Sequence, residues 1–204
     1  MNLSHYYGLP TEIQDKGVKR LVAWKTLSSS YVFKSPFGNL RRDICELPDG
    51  QVIEDYYVNE YTDWVNAIVL TKEHEIILVS QYRYAGQNIF LEIPAGKPEG
   101  HESYQEAILR EVQEETGYTT DQEPILLGQF YVNPATQTNK VYTYLILDAF
   151  HISDQQLDPT EFVDVDMFDF KEMHSLIANG DIQQLFTANA YYMALAFLKE
   201  KGIQ

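Results

Sequence analysis

The amino-acid sequence predicts an α+β fold with a small β-sheet subdomain at its amino terminus. Three observations predict it. Short apolar stretches separated by turn residues fill residues 20–93, one helical pattern follows at 103–116, and further strand patterns precede two helical patterns near the end. Strands and helices therefore come in blocks and not in regular β-α alternation. No repeat or low-complexity block interrupts them, which favours one continuous fold.

Nine segments have the composition of β-strands, with apolar residues bounded by turn-forming ones. Residues 35–38 and the Pro48-Asp49-Gly50 triplet predict hairpin turns between the early strands. The predicted strands are residues 20–27, 40–47, 51–57, 64–70, 76–84, 89–93, 125–131, 141–147 and 162–167. Because no helical pattern lies among the first three, we expect a strand subdomain at residues 1–60 and the main domain at residues 61–204.

Three segments have helical spacing. The clearest begins at Ser103, which forms a capping-box pattern with Glu106, and it ends before Gly117, where a helix-ending glycine is expected. The predicted helices are residues 103–116, 171–179 and 181–199. The first helix is embedded between two groups of strands, and its own sequence is unusual in its charges.

The overall charge restricts the partners. The chain has 15 Lys and Arg against 30 Asp and Glu, a formal net charge of −15, so it repels nucleic acid and other phosphate polyanions at long range. An anionic ligand would therefore need divalent cations. No apolar run is long enough to span a membrane, and residues 1–10 lack the features of a secretory signal. Together with the single cysteine, Cys45, these features predict a cytoplasmic protein.

Two glutamates of the first helix fall on its apolar side. At about 100° per residue, Glu111 and Glu115 lie inside the arc that runs from Ala107 through Tyr104 and Ile108 to Val112, and Glu114 borders that arc. An inward carboxylate must be protonated, paired or bound to a metal ion, because its burial is otherwise costly. The simpler alternative is a solvated glutamate-rich face on which Arg110 pairs with Glu106 or Glu114.

The segment around these glutamates carries a family motif. From Gly96 the chain reads GKPEGHESYQEAILREVQEETGY. This resembles the Nudix box, G-x5-E-x7-R-E-U-x-E-E-x-G-U with U apolar, at Gly96, Glu102, Arg110, Glu111, Val112, Glu114, Glu115, Gly117 and Tyr118. The resemblance implies a Nudix-type mixed β-sheet sandwiched by helices. It also implies an enzyme in which water attacks a phosphorus of a nucleoside diphosphate derivative.

The box predicts a divalent metal site. Glu111 and Glu115 lie one helical turn apart, so both carboxylates can reach the same hard cations. Oxygen ligands of this kind suit Mg²⁺ or Mn²⁺. By resemblance, the carbonyl of Ala95 and the carboxylate of Glu114 complete the ligands. Arg110 is expected to orient the glutamates, since a guanidinium can bond several carboxylates at once. Glu102 is expected to close the glycine loop onto the helix.

Three further features resemble the ADP-ribose pyrophosphatase branch of the family. Pro134 follows the box at the distance typical of the branch, and a turn proline is the alternative reading. The second feature is the pair of segments Gln81-Tyr82-Arg83 and Leu91-Glu92-Ile93-Pro94-Ala95, whose resemblance to the branch implies that Arg83 and Glu92 bind substrate. The alternative is that Arg83 is a solvated surface residue. The segment after Thr160 implies Glu161 as general base or additional metal ligand, with Asp164 as the second candidate and a loop cap as the alternative.

The resemblance implies Mg²⁺-dependent hydrolysis of a nucleoside diphosphate sugar, first of all ADP-ribose to AMP and ribose 5-phosphate. Residues 135–139 are neutral where many relatives carry glycine and an acidic residue, so other sugar nucleotides such as GDP-mannose stay open. Diadenosine polyphosphate hydrolysis and a non-catalytic nucleotide-sugar sensor are the further alternatives. Members of the branch form domain-exchanged homodimers, which implies a homodimer here. Trp24, Phe37 or Trp64 is a candidate to contact the base, but core packing is the expected role of each.

Overall fold

The computed structural model describes residues 22–203, which form two compact units, residues 22–58 and residues 59–203. In the first unit the strands form one sheet in the order β1-β2-β3. Their bounds are Lys25–Ser35 for β1, Gly38–Glu46 for β2 and Val52–Glu60 for β3. β1 and β2 are antiparallel and meet in a hairpin at Ser35 and Gly38, as the turn residues predicted.

The first strand differs from its prediction at residues 20–27. It spans Lys25–Ser35, while residues 20 and 21, like the segment 1–10 without signal features, lie outside the described residues. The prediction was wrong because all but the last residue of β1 is exposed in this unit, so no apolar alternation marks the strand. The expectation of core packing was also wrong for Phe37, whose side chain is 83% exposed because it occupies the β1–β2 turn. Trp24 is half exposed and packs edge-on against Tyr56.

The second unit contains a mixed sheet of eight strands in the described residues, with the main order β11-β5-β4-β10-β8. β6 adds to β5, β7 to β4 and β9 to β10. β4 and β10 are parallel, whereas the other strand pairs of this sheet are antiparallel within residues 59–203. The bounds are Trp64–Thr71 (β4), Glu75–Arg83 (β5), Asn88–Glu92 (β6), Ala95–Gly96 (β7), Tyr118–Thr119 (β8), Ile125–Tyr131 (β9), Lys140–His151 (β10) and Val163–Asp169 (β11).

Helices cover both faces of this sheet. Their bounds are Tyr104–Thr116 for α1, Met173–Asn179 for α2 and Leu185–Lys201 for α3, with 3-10 turns at Tyr84–Gly86 and Phe170–Glu172. α1 packs on one face through Ala107, Ile108 and Val112, and α3 packs on the other through Ala190 and Ala194. The predicted α+β fold, a mixed sheet between helices, is therefore confirmed. Within residues 22–203, no helix is both long and apolar enough to cross a membrane.

The last two helices begin later than their sequence patterns suggest. Residues 171 and 172 belong to a 3-10 turn that is capped by Asp169, and α2 starts at Met173. α3 starts at Leu185 because Gln184 caps it, with its side-chain oxygen accepting the N–H of Thr187 at 2.7 Å. In both cases the cap residue, which the apolar spacing does not show, decides the boundary.

Candidate active site

The site is built on α1, whose ends are fixed by its own sequence. Ser103 and Glu106 form the predicted capping box, and Gly117 ends the helix at φ 75°, a conformation that favours glycine. Between these caps the apolar residues of α1 are buried against β4, and Glu115 is buried with them at 8% exposure. The inward orientation predicted for Glu115 is confirmed.

Glu115 faces the backbone of β7, which pairs with β4 at the sheet. The N–H of Ala95 donates to Glu115 Oε2 at 3.1 Å. The pKa of Glu115 is raised to about 8, mainly by burial. The charges of Glu111 and Glu161 contribute to this rise, while the Ala95 N–H and Arg83 oppose it. The negative form of this carboxylate is therefore short of positive charge in its surroundings, and a cation at this position would supply it.

Glu111 lies against the glycine of the loop before α1. A Cβ added to Gly96 would lie 1.9 Å from Glu111 Cδ, so this close approach requires glycine. The N–H of Lys97 donates to Glu111 Oε1 at 3.2 Å, and burial raises the pKa of this carboxyl although Arg110 opposes the shift. Sequence reasoning missed the backbone donors at positions 95 and 97, because an N–H carries no residue-type signal.

Arg110 holds the acidic side chains of the motif together. Its guanidinium bonds Glu102 at 2.8 Å, Glu111 at 3.0 Å and Glu114 at 2.7 Å, and it also donates to the carbonyl of Lys97. Glu102 also accepts the N–H of Glu99, so it closes the loop as expected. The hydrogen bond to Glu102 is the main cause that raises the pKa of Arg110, which therefore stays charged. Glu106 is engaged in the capping box, so only the Glu114 half of the local-pair alternative is present.

Arg83 and Glu92 bond each other on the β5–β6 hairpin. Nε and Nη2 of Arg83 donate to the two carboxylate oxygens of Glu92 at 3.1 and 2.7 Å. The side chain of Glu92 is 4% exposed and that of Arg83 is 44% exposed, so the buried acid fixes the direction of a partly open guanidinium. The hydrogen bond with Glu92 is the main cause of the raised pKa of Arg83, and the charges of Glu115 and Glu161 raise this pKa as well. Arg83 therefore lies within electrostatic range of the α1 carboxylates.

Of the two late acidic candidates, only Glu161 faces the site. Its charge contributes to the raised pKa of Glu115, behind burial, and to the raised pKa of Arg83, behind the hydrogen bond with Glu92. Its carboxylate also accepts the N–H of Asp158 at 3.2 Å, so the loop-capping contact is present as well. Asp164 lies opposite Ser80 on β5, while its neighbour Val165 packs on the α1 side. Because alternate strand residues face opposite sides, Asp164 points away from α1.

Pro134 belongs to the loop that joins β9 to β10. It is exposed in a turn between β9 and β10, where the N–H groups of Thr136 and Gln137 both bond the carbonyl of Asn133. Pro134 is therefore a turn proline, as the alternative interpretation expected. Its predicted contact with substrate stays a prediction.

The donor chemistry fits a hard divalent cation. Glu111, Glu114 and Glu115 offer carboxylate oxygens on α1, and the backbone of residues 95 and 97 contacts two of these carboxylates. Among residues 22–203, no three acidic, histidine or cysteine side chains already form a ready-made metal site. Arg110 forms ion pairs with Glu111 and Glu114, and Glu115 accepts a hydrogen bond from the Ala95 N–H.

Comparison with known proteins assigns the family. A family model described as "NUDIX domain" matches residues 61–188, more than half of the chain. The chain belongs to the Nudix family. A second model, "Nucleoside diphosphate sugar hydrolase N-terminal domain", matches residues 24–59 of this Nudix protein. Both the family resemblance and the expectation of a Nudix pyrophosphohydrolase are therefore confirmed.

Two relatives and one solved structure are similar to this Nudix hydrolase. It is 29% identical over 167 residues to "ADP-ribose pyrophosphatase" of Bacillus subtilis (strain 168), covering 81% of this chain and 89% of that protein. It is 33% identical over 150 residues to "Methanol dehydrogenase activator" of Bacillus methanolicus, covering 72% and 78%. "Crystal structure of ADP compounds hydrolase" superposes with a TM-score of 0.79 at 19% identity, covering 91% of this chain and all of that one, which shows a shared fold.

Proposed function

We propose that this Nudix hydrolase cleaves the pyrophosphate bond of a nucleoside diphosphate sugar with Mg²⁺, first of all ADP-ribose to AMP and ribose 5-phosphate. The observation that carries the proposal is the buried carboxylate of Glu115, which accepts the N–H of Ala95 and lies one turn from Glu111, which accepts the N–H of Lys97. The description of the amino-terminal model and the name of the Bacillus subtilis relative support the substrate class. GDP-mannose, other sugar nucleotides and diadenosine polyphosphates are the competing substrates.

The proposed metal ligands are Glu111, Glu114, Glu115 and the carbonyl of Ala95. When bound, Mg²⁺ (or Mn²⁺) supplies charge to offset the phosphates and activates water. Arg110 positions two of these glutamates, and exchange of its contacts for cation contacts would open the donor set. A cation there also resolves the repulsion between a phosphate ligand and a chain of net charge −15.

Two side chains across the site complete the proposed chemistry. Arg83, aimed by Glu92, binds a substrate phosphate with its partly open guanidinium. Glu161 accepts the proton of the attacking water or adds a metal ligand, because its charge acts on Glu115 and Arg83. Pro134 shapes the turn that follows β9 and is proposed to border the substrate.

The assembly and location are also proposals. A homodimer is supported by the family resemblance and by large exposed apolar side chains in the amino-terminal sheet, among them Phe33 and Phe37 at 61% and 83%. Light scattering after size-exclusion chromatography would read twice the monomer mass. The single cysteine supports a reducing, cytoplasmic setting, and the acidic charge argues against nucleic acid as a partner.

A substrate panel tests the activity. ADP-ribose, GDP-mannose and diadenosine polyphosphates are incubated with Mg²⁺ or with chelator, and the products are separated by chromatography. We expect AMP and ribose 5-phosphate from ADP-ribose with Mg²⁺ only. Glu115→Gln should abolish this turnover, whereas Glu106→Gln, in the capping box on the same helix, should retain it. Hydrolysis that is independent of Mg²⁺, or a clear preference for a guanine sugar or a dinucleotide, would refute the assignment.

A further inference from the structure

The carboxyl end of α1 is capped by the segment that joins β10 to β11. A helix leaves its last carbonyl groups without partners inside the helix. Here the N–H of Gln156 donates to the carbonyl of Glu114 at 2.8 Å, and the N–H of Ile152 donates to that of Gly117 at 2.9 Å. The connecting segment 152–162 is thereby attached to the helix that carries the inward carboxylates.

One side chain makes a different kind of link. Nε2 of Gln155 donates to the carbonyl of Glu115 and also to the carbonyl of Val163 at 3.1 Å. A primary amide carries two N–H donors, so both are used. Glu115 belongs to α1 and Val163 begins β11, so the Gln155 amide joins two separate elements. Val163 follows Glu161 by two residues.

We propose that Gln155 is a positioning residue that sets the place of Glu161 relative to Glu115 by bridging α1 and the start of β11. This rests on the proposed function, in which Glu161 acts on water beside the metal-binding carboxylates. Glu161 is bonded within the same segment, because its N–H donates to the carbonyl of Asp158 at 2.8 Å and its carboxylate accepts the N–H of Asp158 at 3.2 Å. The bridge is what keeps the end of the connecting segment registered against α1.

The neighbouring glutamine provides a matched control. Gln155 and Gln156 are both exposed residues of the same segment, but Gln156 reaches α1 through its backbone N–H, which a side-chain substitution leaves in place. Gln156→Ala therefore removes the same side chain without removing its link to the helix. Gln155→Glu keeps the size of Gln155 but replaces the donors with acceptor oxygens that would face two carbonyl oxygens.

Steady-state kinetics with ADP-ribose and Mg²⁺ test the role. We expect Gln155→Ala and Gln155→Glu to lower kcat between about 10- and 100-fold with KM within about twofold, since small misplacement of a catalytic group has such effects. Gln156→Ala should match the unaltered enzyme. In a Glu161→Gln background, Gln155→Ala should have no further effect. Unchanged kcat in both Gln155 variants, or an equal loss in the Glu161→Gln background, would overturn the proposal.

Hydrogen–deuterium exchange tests the bridge without relying on activity. We expect the peptide covering residues 157–163 to exchange faster in Gln155→Ala than in Gln156→Ala, because only the first variant frees the start of β11. Equal exchange in the two variants would overturn the bridge. If the unaltered protein hydrolysed no compound of the panel, the proposed function would fail, while the exchange result would still decide whether Gln155 joins the two elements.

Discussion

Replacement of Glu115 by glutamine should make the metal-free protein more stable at alkaline pH. The glutamine amide keeps an oxygen that can accept the Ala95 N–H, and it removes a carboxyl group that is buried at 8% exposure. Burial is the main reason why the pKa of Glu115 rises to about 8 from its ordinary 4.5. The folded state therefore binds this proton more tightly than the unfolded chain does.

The sign and size of the effect follow from that difference. Below pH 4.5 the carboxyl group is protonated in both states and Glu115 has no ionisation penalty. As pH rises toward 8 the unfolded chain ionises first, so the free energy of unfolding falls by up to about 1.4 kcal/mol per pH unit. Over the whole window the loss is at most about 5 kcal/mol, and a few kcal/mol is the expected order once local relaxation is allowed. The glutamine variant lacks this loss.

Urea unfolding followed by tryptophan fluorescence can measure this difference in the free energy of unfolding. With chelator present, the stability gain of Glu115→Gln over the unaltered protein should be small near about pH 5 and should grow by a few kcal/mol near about pH 8. With saturating Mg²⁺ the order should reverse, since the cation binds the folded carboxylate form and stabilises it. A gain that did not change with pH in chelator would show that Glu115 is not a buried, uncompensated carboxyl group.

Three further substitutions test the rest of the site. Gly96→Ala should raise the Mg²⁺ concentration for half-maximal activity by about tenfold or more, because the new Cβ displaces the carboxylate of Glu111. Gly180→Ala is the control: it strains the end of α2, since φ is 83° there, but its Cβ meets nothing within 4 Å, so the Mg²⁺ requirement should stay unchanged. An unaltered Mg²⁺ requirement in Gly96→Ala would contradict the observed contact. Arg110→Lys should lower activity between about 10- and 100-fold, because a single ammonium nitrogen cannot bond the three glutamates in the geometry of the guanidinium. Full activity of this variant would show that Arg110 does not orient the glutamates. Arg83→Lys should raise KM about tenfold with kcat nearly constant, and a fall in kcat alone would reassign Arg83 to transition-state stabilisation.

The sequence predicted the parts of the site that lie on a single element. α1 has apolar spacing, a capping box and a terminal glycine, so its bounds and the inward direction of Glu115 followed from local rules. The extent of β1 could not be predicted, since its exposed residues carry no alternation. The two-residue strands β7 and β8 are too short to have a period at all.

Contacts between separate elements could not be predicted from the sequence. The pairing of Arg83 with Glu92, the bridge made by Gln155 and the close approach of Glu111 to Gly96 all depend on how separate segments pack. Asp164 remained a candidate beside Glu161 until the register of β11 against β5 placed it on the face away from α1. Strand register is a tertiary property, and a shift of one residue would have exchanged the two faces.

A crystal structure of this Nudix hydrolase with Mn²⁺ and a non-hydrolysable ADP-ribose analogue tests the central claim most directly. The anomalous signal of Mn²⁺ would locate the cation independently of the carboxylates. We predict metal about 2.1 to 2.2 Å from oxygens of both Glu111 and Glu115, with the pyrophosphate of the analogue as a further ligand. A structure with the analogue bound elsewhere, and with both glutamates still held by Arg110 and the Ala95 amide, would contradict the account.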